Sequence, residues 1–152
     1  MPPPPLELRE PAWVVQVLDS ATLEVLLADG TRARVRLIGI DSPAGGDSPE
    51  CYAQEAAART QALVLDQVVS LVREHGADTS ARSEMDQHGQ LLRYVWLADG
   101  TMLNQRLIAE GSARASPADT RFAERFAADE AVARAAGAGL WGACAPVPGA
   151  AR

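Results

Sequence analysis

Apolar and polar residues alternate with a period of two in two stretches between Thr22 and Leu37, and an apolar run precedes them. Trp13 to Leu18 forms one apolar run. Thr22 to Leu27 sets Leu23, Val25 and Leu27 against Thr22, Glu24 and Leu26, and Arg32 to Leu37 sets Ala33, Val35 and Leu37 against Arg32, Arg34 and Arg36. Such alternation predicts half-buried strands, since successive side chains point to opposite faces. Asp19-Ser20 and Asp29-Gly30 fall between the runs as turn signals, the second being a strong hairpin dipeptide. The pattern predicts a three-stranded antiparallel meander. The third strand places three guanidinium groups on one face and ends in Asp41-Ser42-Pro43. It reads either as the wall of an anion or metal site or as a half-buried strand with a solvated basic face.

Beyond Pro43, Ala44-Gly45-Gly46-Asp47 reads as loop, and Ser48-Pro49 as an N-cap followed by proline at the first helical position. The helix it opens runs through Tyr52, Ala56 and Leu63 to about Asp66. Val68 to Val72 is a short β-branched strand, Glu74 to Gln90 a polar loop carrying His75 and His88, and Leu91 to Leu97 another strand. The recurrence of Leu-Ala-Asp-Gly-Thr at Leu27 and Leu97 marks one turn chemistry used twice. Thr101 is the expected cap of a helix carrying Leu103, Leu107 and Ile108 and closed by Gly111. Ser116-Pro117-Ala118-Asp119 opens a last helix with Phe122 and Phe126 on one stripe, ended by Gly137 and Gly139. Leu140 and Trp141 then fold back as an apolar lock.

The order of elements predicts an α+β fold: a small five-stranded antiparallel barrel of the oligonucleotide/oligosaccharide-binding type with three packed helices. Residues 1–11 form a proline-rich arm, residues 12–144 the barrel domain and residues 145–152 a loose tail. At 152 residues the chain holds one core. A net charge of −6 works against indiscriminate nucleic-acid binding, which draws on neutralised phosphates. All fourteen cations are arginines. Nothing is apolar for long enough to span a bilayer. The prolines at the N-terminus stand where a signal peptide would need cations and an apolar stretch, so no export signal is expected in the chain as written. Cys51 and Cys144 read as inert buried thiols or as a bonded pair, and with the two histidines they make no zinc pattern. Trp13, Trp96 and Trp141 are expected in the core or at the barrel ends, as are Tyr52 and Tyr94 from their apolar surroundings. His75 and His88 are expected to be solvated.

Several pieces occur in an order and spacing that resemble the staphylococcal nuclease, or thermonuclease-type, family. They are Leu18 to Thr22, Arg36 to Pro43, Glu50 to Ala56, Asp86 to Leu92, Tyr94-Val95-Trp96, Asp99-Gly100-Thr101, Asn104 and Gly139 to Gly142. The resemblance covers Trp13 to Cys144. It implies calcium-dependent hydrolysis of DNA and RNA phosphodiesters, with one calcium held by two aspartates and a backbone carbonyl. A glutamate assists the attacking water, and two arginines hold the phosphate. A hard cation asks for oxygen ligands, and a phosphate gathering charge asks for fixed donors.

Carried over by position, the resemblance gives Arg36 as the first arginine and Asp41 as one calcium aspartate, with Ser42 in place of threonine. The other three positions are lost: Ala21 stands for the second aspartate, Ala44 for the glutamate and Gln90 for the second arginine. The aromatic loop before the last helix is reduced to Ala115-Ser116-Pro117. Asp47 and Glu50 are the nearby acids that could stand in for the lost ones. The expectation is a catalytically degenerate member acting as a binding or assembly module for a protein partner. It needs no cofactor, and calcium enters only with residual activity. Two alternatives stand beside it. One is a weak calcium-dependent phosphodiesterase using Arg36, Asp41 and a recruited Asp47 or Glu50. The other is binding of single-stranded nucleic acid through Arg32, Arg34 and Arg36. Exported relatives carry a cysteine pair at such positions, which implies a Cys51–Cys144 disulfide and an extracytoplasmic setting.

Overall fold

Leucine and valine at alternate positions drive the first three strands into a meander, and the computed structural model of the chain, which describes residues 2–74 and 85–144, shows it. Strands β1 (Glu10–Asp19), β2 (Thr22–Leu27) and β3 (Arg32–Leu37) pair antiparallel, with Val14 opposite Val25 and Leu23 opposite Val35. The inward members, Val14, Leu23, Val25, Val35 and Leu37, are all but sealed from solvent. His75 and residues 145–152 lie outside the described residues.

Strand β1 starts at Glu10, inside the stretch expected to be an arm, and Pro11 sits opposite Ser70. A single turn of 3-10 helix at Leu6–Leu8 precedes it. Strands β5 (Val68–Val72) and β6 (Leu91–Trp96) complete a closed barrel in the order β1-β2-β3-β6-β5. The closing ladder departs from the antiparallel expectation: β3 and β6 run parallel, with Val35 opposite Leu91 and Arg36 opposite Leu92. A ring with an odd number of strands cannot alternate direction all the way round, so one ladder must be parallel. A further pair of short strands, β4 (Ile40–Asp41) and β7 (Arg114–Ala115), was not anticipated and forms its own ladder.

The two Leu-Ala-Asp-Gly-Thr turns share one hydrogen-bond pattern. Leu27 N–H donates to the Thr31 carbonyl and Leu97 N–H to the Thr101 carbonyl, each at 2.8 Å. The aspartates accept from the threonine amides at 2.8 and 3.0 Å. Because Thr101 is used in this turn, it does not cap the following helix, α2 (Leu103–Ala109), whose N-cap is Met102. From α2 the buried Asn104 donates to the Ile38 carbonyl at 2.9 Å and accepts from Val95 N–H at 2.9 Å. It thereby fastens the helix to the end of β3 and to β6.

Helix α1 (Ala53–Val64) begins later than Ser48-Pro49 suggested. Residues 44–50 form a loop closed on itself. Glu50 N–H donates to the Ala44 carbonyl at 2.8 Å, and Ala44 N–H donates to the Glu50 carboxylate at 2.6 Å. Tyr52, the N-cap, holds φ at 73°, a left-handed conformation that costs a side-chain-bearing residue about 1–2 kcal/mol. Helix α3 (Ala123–Ala136) likewise starts beyond Ser116-Pro117, where Ser116 Oγ instead accepts from Ala118 N–H in a local turn. Phe122 and Phe126 meet the buried Tyr94 ring edge-on, at 4.9 and 6.3 Å between centroids.

The expected lock is the single-turn helix α4 (Leu140–Ala143), with Leu140 buried and its N–H donating to the Gly111 carbonyl at 2.9 Å. Gly111 has φ of 73°, and a Cβ there would collide with the Ala138 carbonyl. The Cys51–Cys144 disulfide is present and joins the start of α1 to the end of α4. By the chain-entropy account a loop of this length contributes about 4–5 kcal/mol.

Candidate functional site

Arg36 stands at the end of β3 and Asp41 in β4, and the turn between them is held from three sides. Leu37 N–H donates to the Ala21 carbonyl at 2.8 Å, and Ile38 N–H to the Arg93 carbonyl at 3.0 Å. Gly39, with φ of 80°, approaches the Phe126 ring so closely that a Cβ would lie 2.9 Å from it. The chain therefore folds back and brings Asp41 within reach of Arg36. Arg36 Nη2 donates to Asp41 Oδ1 at 3.1 Å, and Nη1 to the Ala21 carbonyl at 3.4 Å. The Arg36 guanidinium, the Asp41 carboxylate and a backbone oxygen thus satisfy one another.

The positions that carry no charge are placed as follows. Ala21 is fully buried, and its N–H is taken by Asp19 Oδ1 at 2.8 Å. Ala44 is exposed, and the Glu50 carboxylate lies on its amide, so Glu50 is brought to this position while Asp47 stays at the exposed tip of the loop. Gln90 closes a turn in which Asp86 Oδ1 accepts from His88 N–H and Gln90 N–H at 2.8 and 2.9 Å. Gln90 immediately precedes β6, in which Leu92 is the register partner of Arg36. His88 is exposed, as expected.

A calcium ion takes six to eight oxygen ligands. Here Asp41 offers one carboxylate already engaged by Arg36, and Ala21 offers no side-chain oxygen. Among the described residues no group of three or more His, Cys, Asp or Glu gathers as a metal site. The donor set does not fit resident calcium.

Of the three strand arginines, Arg32 is bound to Glu24 at 2.7 Å, Arg34 is exposed opposite Glu24 in register, and Arg36 faces Asp41. Trp13 departs from the core expectation. It is 45% exposed on the barrel's outer face, with Val68 and Leu26 as its register neighbours and Arg32 beyond Leu26. It belongs to a strand whose alternate residues, Ala12 and Val14, fill the interior, so the alternation sends the indole outward. Trp96 is buried as expected, and Trp141 is half-buried under the guanidinium groups of Arg134 and Arg114, at 4.8 and 5.7 Å.

Sequence reasoning passed over three further groups. Arg93 is 2% exposed within β6, with Glu10 at 3.8 Å. The signal was a cation interrupting the apolar run Leu91 to Trp96. Arg114 lies opposite Asp41 in the β4–β7 ladder, a pairing that nothing local announces. Glu110 receives Arg59 through two hydrogen bonds, at 2.6 and 3.2 Å, and Arg106 at 3.0 Å. The Arg59 hydrogen bond, with help from Arg106, holds the Glu110 carboxyl below its usual range. Tyr94 shifts the other way: burial, then the hydrogen bond of its hydroxyl to Glu74, raises it.

A cleft of about 190 Å³ beside the site is lined by Leu18, Asp19, Pro43, Gly45, Gly46 and Gln54 among others. Larger cavities of about 280 and 240 Å³ lie against α2, share Arg106 and include none of the predicted site residues.

Comparison with known families matches residues 34–143 to the family described as staphylococcal nuclease homologue. The chain is 36% identical over 113 residues to the thermonuclease of Staphylococcus intermedius, covering 72% of this chain and 62% of that protein. It is 33% identical over 105 residues to the thermonuclease of Staphylococcus hyicus, covering 67% and 57%. An uncharacterized endonuclease of Escherichia coli is 31% identical over 101 residues, 66% of this chain and 57% of that protein. The matches thus span about three fifths of the length of these relatives.

Proposed function

The chain belongs to the staphylococcal nuclease homologue family, and on that premise we propose that it is a non-catalytic member, a barrel kept as a binding or assembly module for a protein partner. One observation carries this reading. Arg36, the cation that would meet a phosphate, is bound to Asp41 and the Ala21 carbonyl, while Ala21, Ala44 and Gln90 supply no ligand, base or second cation. Loss of a single preorganised donor costs a hydrolase about 3–4 kcal/mol of transition-state stabilisation. Loss of a metal ligand and a base in addition leaves little to accelerate. Arg36 and Asp41 then serve as a tether between the strand end and β4. The Cys51–Cys144 disulfide supports an oxidising, extracytoplasmic setting. No helix among the described residues is long and apolar enough to cross a membrane.

The test is a calorimetric titration with calcium in the presence of a thymidine bisphosphate, run beside an assay of single-stranded DNA hydrolysis. Neither ligand should bind, and hydrolysis should equal that of an Arg36→Ala control. Calcium-dependent hydrolysis abolished by Asp41→Ala would instead establish the phosphodiesterase, with the Glu50 carboxylate on the Ala44 amide as its recruited acid.

A second reading, binding of single-stranded nucleic acid without cleavage, draws on the exposed Trp13 in the same cross-strand row as Arg32. Base stacking wants an exposed aromatic near cations. Glu24 on Arg32 and the net charge of −6 weigh against it. Affinity for oligothymidylate that falls with salt at a slope of a few units and is lost in Trp13→Ala would favour it.

A further inference from the structure

The residues around Cys51 form a mechanically connected series. Residues 44–50 are exposed throughout, and Glu50 closes them into a loop through its amide and its carboxylate. Cys51, also exposed, follows directly. Tyr52 comes next, with φ of 73°, a conformation that a residue with a side chain keeps only where its surroundings impose it. On one side Tyr52 is fixed by α1, where its carbonyl accepts from Ala56 N–H at 2.9 Å. On the other side stands the disulfide. Cys144 is itself anchored, since its N–H donates to the Leu140 carbonyl and Leu140 N–H to the Gly111 carbonyl, each at 2.9 Å. Through Gly45, Gly46 and Pro49 the loop lines the cleft that Leu18 and Asp19 also line.

We propose that the Cys51–Cys144 disulfide is a redox-operated latch on the loop of residues 44–50. With the bond intact, Cys51 is held against the end of α4, Tyr52 stays left-handed and Glu50 stays closed on Ala44. A dithiol reductant opens it by exchange. One thiolate of the reductant attacks a protein sulfur to give a mixed disulfide, and its second thiolate resolves that bond. The protein S–S bond breaks and one forms in the reductant. Two electrons pass to the protein, and two protons end on the Cys51 and Cys144 thiols. Tyr52 then relaxes to negative φ, Glu50 is drawn off the Ala44 amide, and the cleft beside Asp19 is uncovered. The barrel ladders take no part, because neither cysteine belongs to a strand.

Hydrogen exchange on the whole chain, with and without dithiothreitol, tests the latch. Amides of residues 44–52 should exchange about tenfold faster or more after reduction, through local opening that urea does not affect, while those of β2 and β3 still exchange only through urea-sensitive global unfolding. The Cys51→Ser, Cys144→Ser double variant should exchange like the reduced protein whether or not dithiothreitol is present. Loop rates that ignore reduction would overturn the proposal. So would protection lost from β2 and β3 in step with the loop, or a double variant that does not fold, since the bond would then be a staple of the whole domain.

Discussion

Arg36 Nη2 lies 3.1 Å from Asp41 Oδ1, and the same guanidinium reaches the Ala21 carbonyl at 3.4 Å. The two residues to which the resemblance assigns phosphate and metal are turned towards each other. If that contact is structural, Arg36→Ala should lower stability by about 1–2 kcal/mol, since it strips donors from a carboxylate and a carbonyl. Asp41→Ala should cost about 1 kcal/mol or less, because the acid is half exposed. Urea denaturation of both variants and the double mutant should give a coupling energy of about 0.5–1 kcal/mol. Zero coupling would mean that the pair does not act as a tether.

Placing charge at Ala21, Ala44 and Gln90 should expose the unequal cost of these positions. Ala44 is exposed and Gln90 partly so, and Ala44→Glu with Gln90→Arg should fold without loss. Ala21 is fully buried, so Ala21→Asp should destabilise by about 1–3 kcal/mol in a chelator. Calcium at millimolar concentration should raise the Tm of the triple variant and leave the wild type unmoved, as scanning calorimetry would record.

Glu110 sets part of the acid limb of stability. Its folded carboxyl is depressed, chiefly by the Arg59 hydrogen bond. The contribution is therefore fully present above the unfolded glutamate value of about 4.3 and is lost as pH falls through the lower folded value. Urea midpoints measured between pH 6 and 2, a range of about four units around that value, should fall less steeply in Glu110→Gln than in wild type. The variant should also start from a lower plateau at neutral pH.

Gly111→Ala tests the docking of α4. The new methyl would meet the Ala138 carbonyl, and the residue already sits at φ of 73°. A loss of about 3 kcal/mol or more is expected in denaturant melts. Gly30→Ala, where the same handedness of backbone faces open space, should lose only about 1–2 kcal/mol.

The barrel strands and the disulfide were legible because they follow local or family rules. Val14, Leu23 and Val35 obey a two-residue period, and Asp29-Gly30 and Asp99-Gly100 make the same turn from the same words. The starts of two helices were not, because Ser48-Pro49 and Ser116-Pro117 are equally good loop formers. At the first, Glu50 closing on Ala44 decided the matter. The outward place of Trp13 was not read either, because it follows from its parity in β1, where Ala12 and Val14 fill the interior. The candidate site could be named from the sequence as a set of residue types. Its geometry was not, since Arg36 meeting Ala21 and Asp41 facing Arg114 depend on a β4–β7 ladder that no local signal marks.

The odd number of strands in the barrel also sets the order in which it can assemble. Strands β1 to β3 are neighbours in sequence and need only short loops to close. The parallel ladder between Val35 and Leu91 joins residues far apart in the chain, and the loop-closure entropy of that contact must be met before it returns anything. The meander should therefore form early and the two long-range seams, β1–β5 and β3–β6, late, with the refolding rate limited by their closure. Shortening the connection that precedes Leu91 would then speed refolding while leaving the unfolding rate nearly unchanged.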